Sequence, residues 1–165
     1  MGNKKGFTLV ELLAVIVILA VIILIAVNAV LPQMNRARKN SFADEAMNYL
    51  KAAETKYVEG ALDTTSDGST VVIKVNGDLN QKYVSKTGYY GMVVLTVAQS
   101  GDNAGNVTAK KIWLTDCKKY MITGQPTSGN EIKGTNVDAY SKTSWEALVE
   151  DAEVNLPATE VCPTN

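Results

Sequence analysis

The sequence predicts an α+β protein in which one long N-terminal helix packs against an antiparallel β-sheet. Three observations indicate this class. An apolar block covers residues 7–31, and helical periodicity resumes directly after it. The second half of the chain carries runs rich in β-branched and aromatic residues, and a Gly- and Asn-rich turn separates two of them. Because such a turn indicates a hairpin, the sheet is expected to be antiparallel.

The apolar block is long enough to span a membrane. Glu11 is its only ionisable side chain, and residues 12–27 include no polar side chain. From Leu12 to Leu31, at about 1.5 Å per residue, a helix measures roughly 30 Å, which is the thickness of the hydrocarbon core of a bilayer.

Two other interpretations of this block stay open. An ordinary secretory signal has an apolar region of about 7–15 residues and small residues before its cut. The segment at 27–29 resembles such a cut, but the block is too long and Glu11 stands where a signal has leucine. The second alternative is a plain single-pass anchor, because cations lie on both sides of the block and the positive-inside rule assigns no orientation. These cations are Lys4, Lys5, Arg36, Arg38 and Lys39.

A short motif opens the block. Lys4 and Lys5 are followed by Gly6 and Phe7, and Glu11 comes four residues after the Phe. This arrangement resembles the N-terminus of type IV pilins and of the related pseudopilins. The resemblance implies the type IV pilin fold, and it also implies that the N-terminus lies on the inner side of the membrane.

The resemblance further implies processing of the N-terminus. Residues 1–6 correspond to the leader of a prepilin, which a membrane-embedded prepilin peptidase cuts between Gly6 and Phe7. The same peptidase methylates the new N-terminus, so N-methyl-Phe7 is the expected first mature residue. A glycine before the cut agrees with this chemistry, since a residue without a Cβ lets a protease approach the backbone closely.

Glu11 is the principal candidate for a functional side chain. A carboxylate in hydrocarbon costs several kcal/mol unless it is neutralised or paired, so an acid at this depth is a functional hypothesis. The resemblance implies that Glu11 pairs with the amine of Phe7 on a neighbouring subunit and draws incoming subunits into register. The alternative is a glutamate that lies near the headgroups without a role.

An amphipathic helix is predicted after Pro32. Apolar residues recur at spacings of three and four, and the helix is expected to end at Gly60, which is a good C-terminal cap. The apolar positions are Ala43, Ala46, Met47, Leu50, Ala53 and Tyr57. Charged residues mostly occupy other faces: Lys39, Asp44, Glu45, Lys51, Glu54 and Lys56. Together with the apolar block, this stretch predicts one helix from about Phe7 to Glu59.

The helix departs from the pilin pattern at one place. Type IV pilins usually carry a proline where this chain has Asn28, and the nearest proline here is Pro32. Because Pro32 has no N–H, the carbonyl of Asn28 loses its helical partner, so we expect a continuous helix whose intrinsic weak point, and any kink or break, lies between these two residues. Residues 7–27 contain neither Gly nor Pro, which predicts a continuous helix upstream.

The head is expected to begin with a connection. It consists of a turn-rich segment at 63–68, a short strand at 71–75 and a turn at 76–78.

The sheet proper is predicted to follow this connection. Strands at 90–98 and 107–114 flank an exposed hairpin tip, and a third strand covers 118–123. Thr143 and Glu146 have the spacing of a capping box, which predicts a short helix from Thr143 to about Ala152.

Cys117 and Cys162 are the only cysteines. Their long separation, with no other ligand nearby, argues against zinc. Behind an export segment, the expected state is a disulfide formed outside the cytoplasm, and the pilin resemblance implies a bridge in this region. In the simple chain-entropy model a bridge of this size contributes about 4 kcal/mol. Two unpaired buried thiols are the alternative.

Composition excludes several functions. The formal net charge of −1 argues against a strongly basic nucleic-acid binder, and the absence of His excludes any His-based catalytic or metal site. No nucleophile remains if both cysteines form a bridge. We therefore expect no enzyme, no cofactor and no metal site.

The resemblance to type IV pilins thus implies a structural subunit, the major pilin of a type IV pilus. The expected regions are the leader (1–6), a transmembrane and filament-core helix (7–31), its amphipathic half (32–60) and a globular head (61–165). Expected partners are further pilin subunits, prepilin peptidase and the pilus assembly machinery. The protein would lie in the membrane before assembly and on the bacterial surface afterwards. The alternatives are a minor pilin or pseudopilin of a secretion or DNA-uptake system, and a membrane-tethered binding module.

Overall fold

The computed structural model describes residues 7–60, 70–102, 104–125, 131–151 and 154–163. The chain divides into two compact units, Met1–Arg38 and Lys39–Asn165. Helix α1, Leu9–Val58, contributes residues to both units. The prediction of one helix from about Phe7 to Glu59 is confirmed.

The head contains a five-stranded sheet in the order β1-β2-β3-β4-β5. Each strand pairs antiparallel with the next, so the predicted meander is confirmed. The strands are β1 (Thr70–Lys74), β2 (Tyr90–Val97), β3 (Val107–Thr115), β4 (Tyr120–Gln125) and β5 (Asp138–Ala139). The short helices are α2 (Val75–Asp78) and α3 (Lys142–Glu150), and two 3₁₀ turns lie at Gly134–Asn136 and Ala158–Glu160.

The second half of α1 packs on one face of this sheet. Several of its buried residues are alanines, whose small side chains let the helix axis approach the strands closely. The helix stops where Gly60 adopts a φ of 70° and its N–H donates to the carbonyl of Tyr57 at 3.0 Å, as predicted for this glycine. The buried apolar positions of the helix are Phe42, Ala43, Ala46, Tyr49, Leu50, Ala52 and Ala53.

Two charged residues of α1 depart from the predicted pattern, because Glu45 and Lys56 are buried on the head side. Glu45 lies 3.1 Å from the Nζ of Lys86. The Nζ of Lys56 donates to the carbonyl of Asp78 at 2.8 Å. Both partners come from the segment between β1 and β2, so the sequence of the helix alone does not reveal them.

The opposite face of the sheet carries a second, smaller core. Successive side chains of a strand point to opposite faces, and accordingly Val93 joins the core under α1 while Met92 joins this one. Trp145 of α3 is fully buried in it. Cys162 also lies in this core and forms the expected disulfide with Cys117, which closes a separation of 45 residues.

Three local predictions are corrected by side-chain contacts. The turn expected at 76–78 is one turn of helix, α2, in which a carboxylate oxygen of Asp78 accepts the N–H of Lys74 at 2.8 Å. The third strand begins at Tyr120, since Oδ1 of Asp116 accepts three successive backbone N–H groups and holds a turn through Lys119.

The cap of α3 is Ser141, whose Oγ accepts the N–H of Ser144 at 3.3 Å, and the helix ends at Glu150. The prediction of a cap at Thr143 is therefore wrong. The predicted turn at 63–68 lies outside the described residues.

Among the described glycines, Gly91 is expected to tolerate the addition of a methyl group least. Its φ is 143°, and a Cβ built on it would lie 1.9 Å from the carbonyl oxygen of Trp113 in the neighbouring strand. We expect Gly91→Ala to lower the free energy of unfolding by roughly 3 kcal/mol or more, because backbone has to move. Urea denaturation of the full chain in detergent, followed by tryptophan fluorescence, measures this.

Gly77→Ala is the matched control. A Cβ there would contact only the side chain of Lys74 at 3.6 Å, and the position is helical, so the change should stay within about 0.5 kcal/mol. Equal unfolding midpoints for the two variants would contradict the proposed clash.

Candidate assembly site at the start of the long helix

Thr8 and Glu11 form a reciprocal cap at the start of α1. The backbone N–H and the Oγ1 of Thr8 both donate to Oε2 of Glu11, each at 2.9 Å. The N–H of Glu11 in turn donates to Oγ1 of Thr8 at 3.3 Å. This arrangement satisfies N–H groups that have no helical acceptor in the first turn of any helix.

The cap orients the predicted functional carboxylate. Both donors from Thr8 bind the same oxygen, Oε2, so the cap itself does not use Oε1. The side chain of Glu11 is thus held at the end of the helix, next to Phe7, where the positive end of the helix dipole also favours a negative charge. Phe7 is itself exposed, and Gly6 lies outside the described residues.

Sequence reasoning assigned Glu11 a role but missed Thr8. The signal was available, because Thr8 and Glu11 have the Thr-x-x-Glu spacing of a capping box. The same spacing at Thr143 and Glu146 predicted a cap that the structure does not form. The difference is that Ser141 offers an earlier hydroxyl to the start of α3, whereas Phe7 offers none to α1.

The apolar stretch that follows this cap is exposed along its whole length. Residues 7–38 are all exposed, and the most apolar 18-residue window of α1 has a mean hydropathy of 3.4 with none of it buried inside the protein. A continuous apolar surface of this extent marks a site of contact with lipid or protein. Its length and composition suffice to cross a membrane.

Helix α1 continues through the predicted weak point. Pro32 lies inside α1, and the side-chain amide of Asn28 donates to the carbonyl of Leu24 at 3.2 Å. The carbonyl of Asn28 still has no N–H to accept from Pro32, so this turn is held by one backbone bond fewer than its neighbours.

The head offers no comparable constellation of reactive groups. Within the described ranges, no three His, Cys, Asp or Glu side chains lie close enough to hold a metal ion. A groove of about 780 Å³ runs along α1 beside residues 131–135, and its lining mixes polar and apolar residues and includes Lys51 and Lys133. Among the described residues, the sequence-predicted ones fall at the start of α1, at Asn28 and Pro32 within the same helix, and at the disulfide of the head.

The fold and the site define a class of protein, of which type IV pilins are an example: an α+β head and a long helix whose first half is apolar on every side and whose start is capped by Thr8 and Glu11. Comparisons with known proteins agree. The family model for the prokaryotic N-terminal methylation motif matches residues 1–27. A fimbrial protein of Neisseria meningitidis serogroup A / serotype 4A (strain DSM 15465 / Z2491) is 29% identical over 161 residues, covering 94% of this chain and 93% of the relative.

No solved structure matches the chain significantly. The motif, the nearly full-length similarity and the fold together confirm the resemblance to type IV pilins. This family is a structural one and not a family of enzymes. The apolar helix fits anchoring in a membrane followed by display in a surface filament.

The helix break remains a prediction for the assembled state. We expect a filament map that resolves the backbone to show any kink or unwound turn between Asn28 and Pro32, because that turn has the weakest hydrogen bonding. Pro32→Ala restores the missing N–H and should give regular helix there. A break near Val15 to Ala20, with regular helix through Pro32, would show that packing between subunits controls the position instead.

Proposed function

We propose that this chain is the major subunit of a type IV pilus. Residues 1–6 form a leader, residues 7–31 hold the subunit in the membrane and later form the filament core, and residues 32–60 join the core to the head. The head, residues 61–165, covers the filament surface. The observation that carries this proposal is the exposed apolar helix with a capped carboxylate near its start.

The apolar surface of that helix favours polymerisation, because it has to be covered by lipid or by other protein. In a membrane its apolar surface contacts lipid chains, and in a filament it would contact the same surface of other copies. A transfer from membrane to filament would therefore keep the apolar side chains away from water at both stages. Because lipid and leucine are similarly apolar, the direction and register of assembly have to come from polar groups, and Glu11 is the only ionisable one in the block.

The proposed role of Glu11 is to bind the N-terminal amine of a neighbouring subunit. Once the leader is removed, Phe7 carries a cationic amine close to the depth of Glu11. A bond between a carboxylate and an ammonium group is stronger than the bonds that Thr8 provides from neutral donors. Thr8 thus holds the carboxylate in position until the amine of the next subunit arrives.

The partners implied by this proposal are prepilin peptidase and the pilus assembly machinery, besides further copies of the chain. The relative that matches 94% of the chain is named a fimbrial protein, which supports a filament subunit. A minor pilin or a pseudopilin would share the site but would be scarce in purified filaments, and a tethered binding module would have no use for cleavage after Gly6.

The first test concerns processing and abundance. In sheared surface filaments we expect this chain to be the predominant protein, with a mature sequence that starts at N-methylated Phe7 and keeps the apolar helix. N-terminal sequencing and mass spectrometry measure both. A mature start at residues 28–31 would instead indicate a secretory signal, and an intact Met1 in assembled material would indicate a plain anchor.

The second test separates pairing from capping. Glu11→Ala should abolish filaments while leaving the melting of the head unchanged, because it removes the partner of the incoming amine. Thr8→Val removes the hydroxyl of the cap but keeps the carboxylate, and it should leave filament yield within about twofold of the parent, since a cap contributes only about 1 kcal/mol. Electron microscopy and quantification of sheared pili measure the yield.

Glu59→Ala serves as the control, because it removes an exposed glutamate at the other end of the same helix. Normal piliation in cells making only the Glu11→Ala protein would refute the pairing. Equal loss of filaments in Thr8→Val and Glu11→Ala would show that the cap, and not an amine of another subunit, is what the carboxylate serves.

A further inference from the structure

A buried glutamate lies at the C-terminal end of the head. The side chain of Glu160 is fully buried, and its Oε2 accepts two backbone N–H groups, from Asn76 at 2.9 Å and from Gly91 at 3.0 Å. Asn76 belongs to α2 and Gly91 to β2, so one carboxyl oxygen joins two distant segments to the C-terminal one. The other oxygen, Oε1, is buried without a hydrogen-bond partner in the described part of the chain.

The backbone around Glu160 is tied into the second core of the head. The indole N–H of Trp145 donates to the carbonyl of Glu160 at 3.2 Å. Cys162, two residues later, is only 7% exposed and is bonded to Cys117. The C-terminal segment, residues 154–163, is thus held by a covalent bond at Cys162 and by the hydrogen bonds of Glu160.

We propose that Glu160 is a pH-dependent latch, which holds the C-terminal segment against α2 and β2 when its carboxyl is protonated and holds it more weakly when ionised. The proposal is independent of the proposed function, since it concerns only groups of the head. It rests on the burial of the carboxyl and on its unpartnered Oε1, because ionisation would place a charge on a buried group that has no cation beside it. The two backbone donors act against this effect, since a carboxylate accepts N–H groups more strongly than a carboxylic acid does.

The charges that face Glu160 do not cancel its own. Asp78 of α2 opposes ionisation, Lys74 of β1 favours it, and Tyr49 of α1 is itself a weak acid whose pKa is raised, chiefly by burial. From α3, the closest group is Trp145, which does not titrate. No cation of the described residues forms an ion pair with Glu160 within 4 Å.

Burial is accordingly the main influence on this carboxyl, and it raises the pKa of Glu160 above the usual value of 4.5 although the two backbone N–H groups act in the opposite direction. A group whose pKa is raised by folding contributes stability that is fully present below its unfolded pKa and is lost as the pH rises through its folded pKa. The latch is therefore tightest in mildly acidic surroundings and weakens toward neutral and higher pH.

The amides of Asn76 and Gly91 report directly on the latch, because both donate to Glu160. We would measure their hydrogen exchange by NMR in the full chain in detergent micelles, from pH 4.5 to pH 8. Each rate is divided by the rate of an unstructured peptide at the same pH, which gives a protection factor. The amide of Val93, further along β2, is the internal reference.

In the parent chain the protection of these two amides should fall severalfold as the pH rises, while that of Val93 stays constant. Glu160→Gln keeps an uncharged acceptor of the same shape, so its protection should be high and independent of pH. Glu160→Ala removes the acceptor, and protection should be about tenfold lower or more at every pH. Glu59→Gln, at an exposed glutamate, should behave as the parent does.

Two results would overturn the latch. Protection that does not change with pH in the parent chain would show that Glu160 keeps one charge state throughout. A Glu160→Gln chain whose protection still falls as the parent's does would assign the titration to another group. If Glu160→Ala does not fold, the comparison of the parent with Glu160→Gln still decides between these outcomes.

Discussion

The structure depends on the requirement that one helix be stable in two different environments. From Leu9 to Leu31 every side of α1 is exposed and almost entirely apolar, a surface that fits a membrane. In hydrocarbon each unpaired backbone group would cost several kcal/mol, so a helix is favoured there. Beyond residue 41 only one face is apolar, and that face is covered by the sheet. This difference between an exposed first half and a second half packed on the sheet explains why the chain divides into two compact units although a single helix contributes to both.

Several buried polar groups of the head bind segments that are distant in the sequence. Glu45 and Lys56 of α1 both find partners between β1 and β2, and Glu160 binds the backbone of α2 and β2. Removing one partner of such a contact lowers the free energy of unfolding, because the remaining buried polar group has neither water nor a hydrogen-bond partner. These contacts and the disulfide hold in place segments that the β-ladders leave unpaired.

The two Thr-x-x-Glu patterns of the chain differ in whether they form a helix cap. At Thr8 and Glu11 the pattern forms a cap, and Phe7, the described residue before Thr8, has no hydroxyl that could compete for the first amides of the helix. At Thr143 an earlier hydroxyl, that of Ser141, takes the same role and moves the start of α3 by two residues. A capping box therefore indicates a helix start nearby, and the neighbouring hydroxyls decide which residue is the cap.

The sequence by itself determined the long helix, its end at Gly60, the antiparallel hairpins and the resemblance to type IV pilins. These features follow from periodicity, from turn chemistry and from the motif around Gly6 and Glu11, all of which act over a few residues. Tertiary structure decided the one-turn helix α2, the burial of Glu45, Lys56 and Glu160, and the second core around Trp145. These features could not be read from the sequence because each depends on a partner far away in the chain, as Glu160 depends on the backbone of Asn76 and Gly91, and only folding brings such groups within hydrogen-bonding distance.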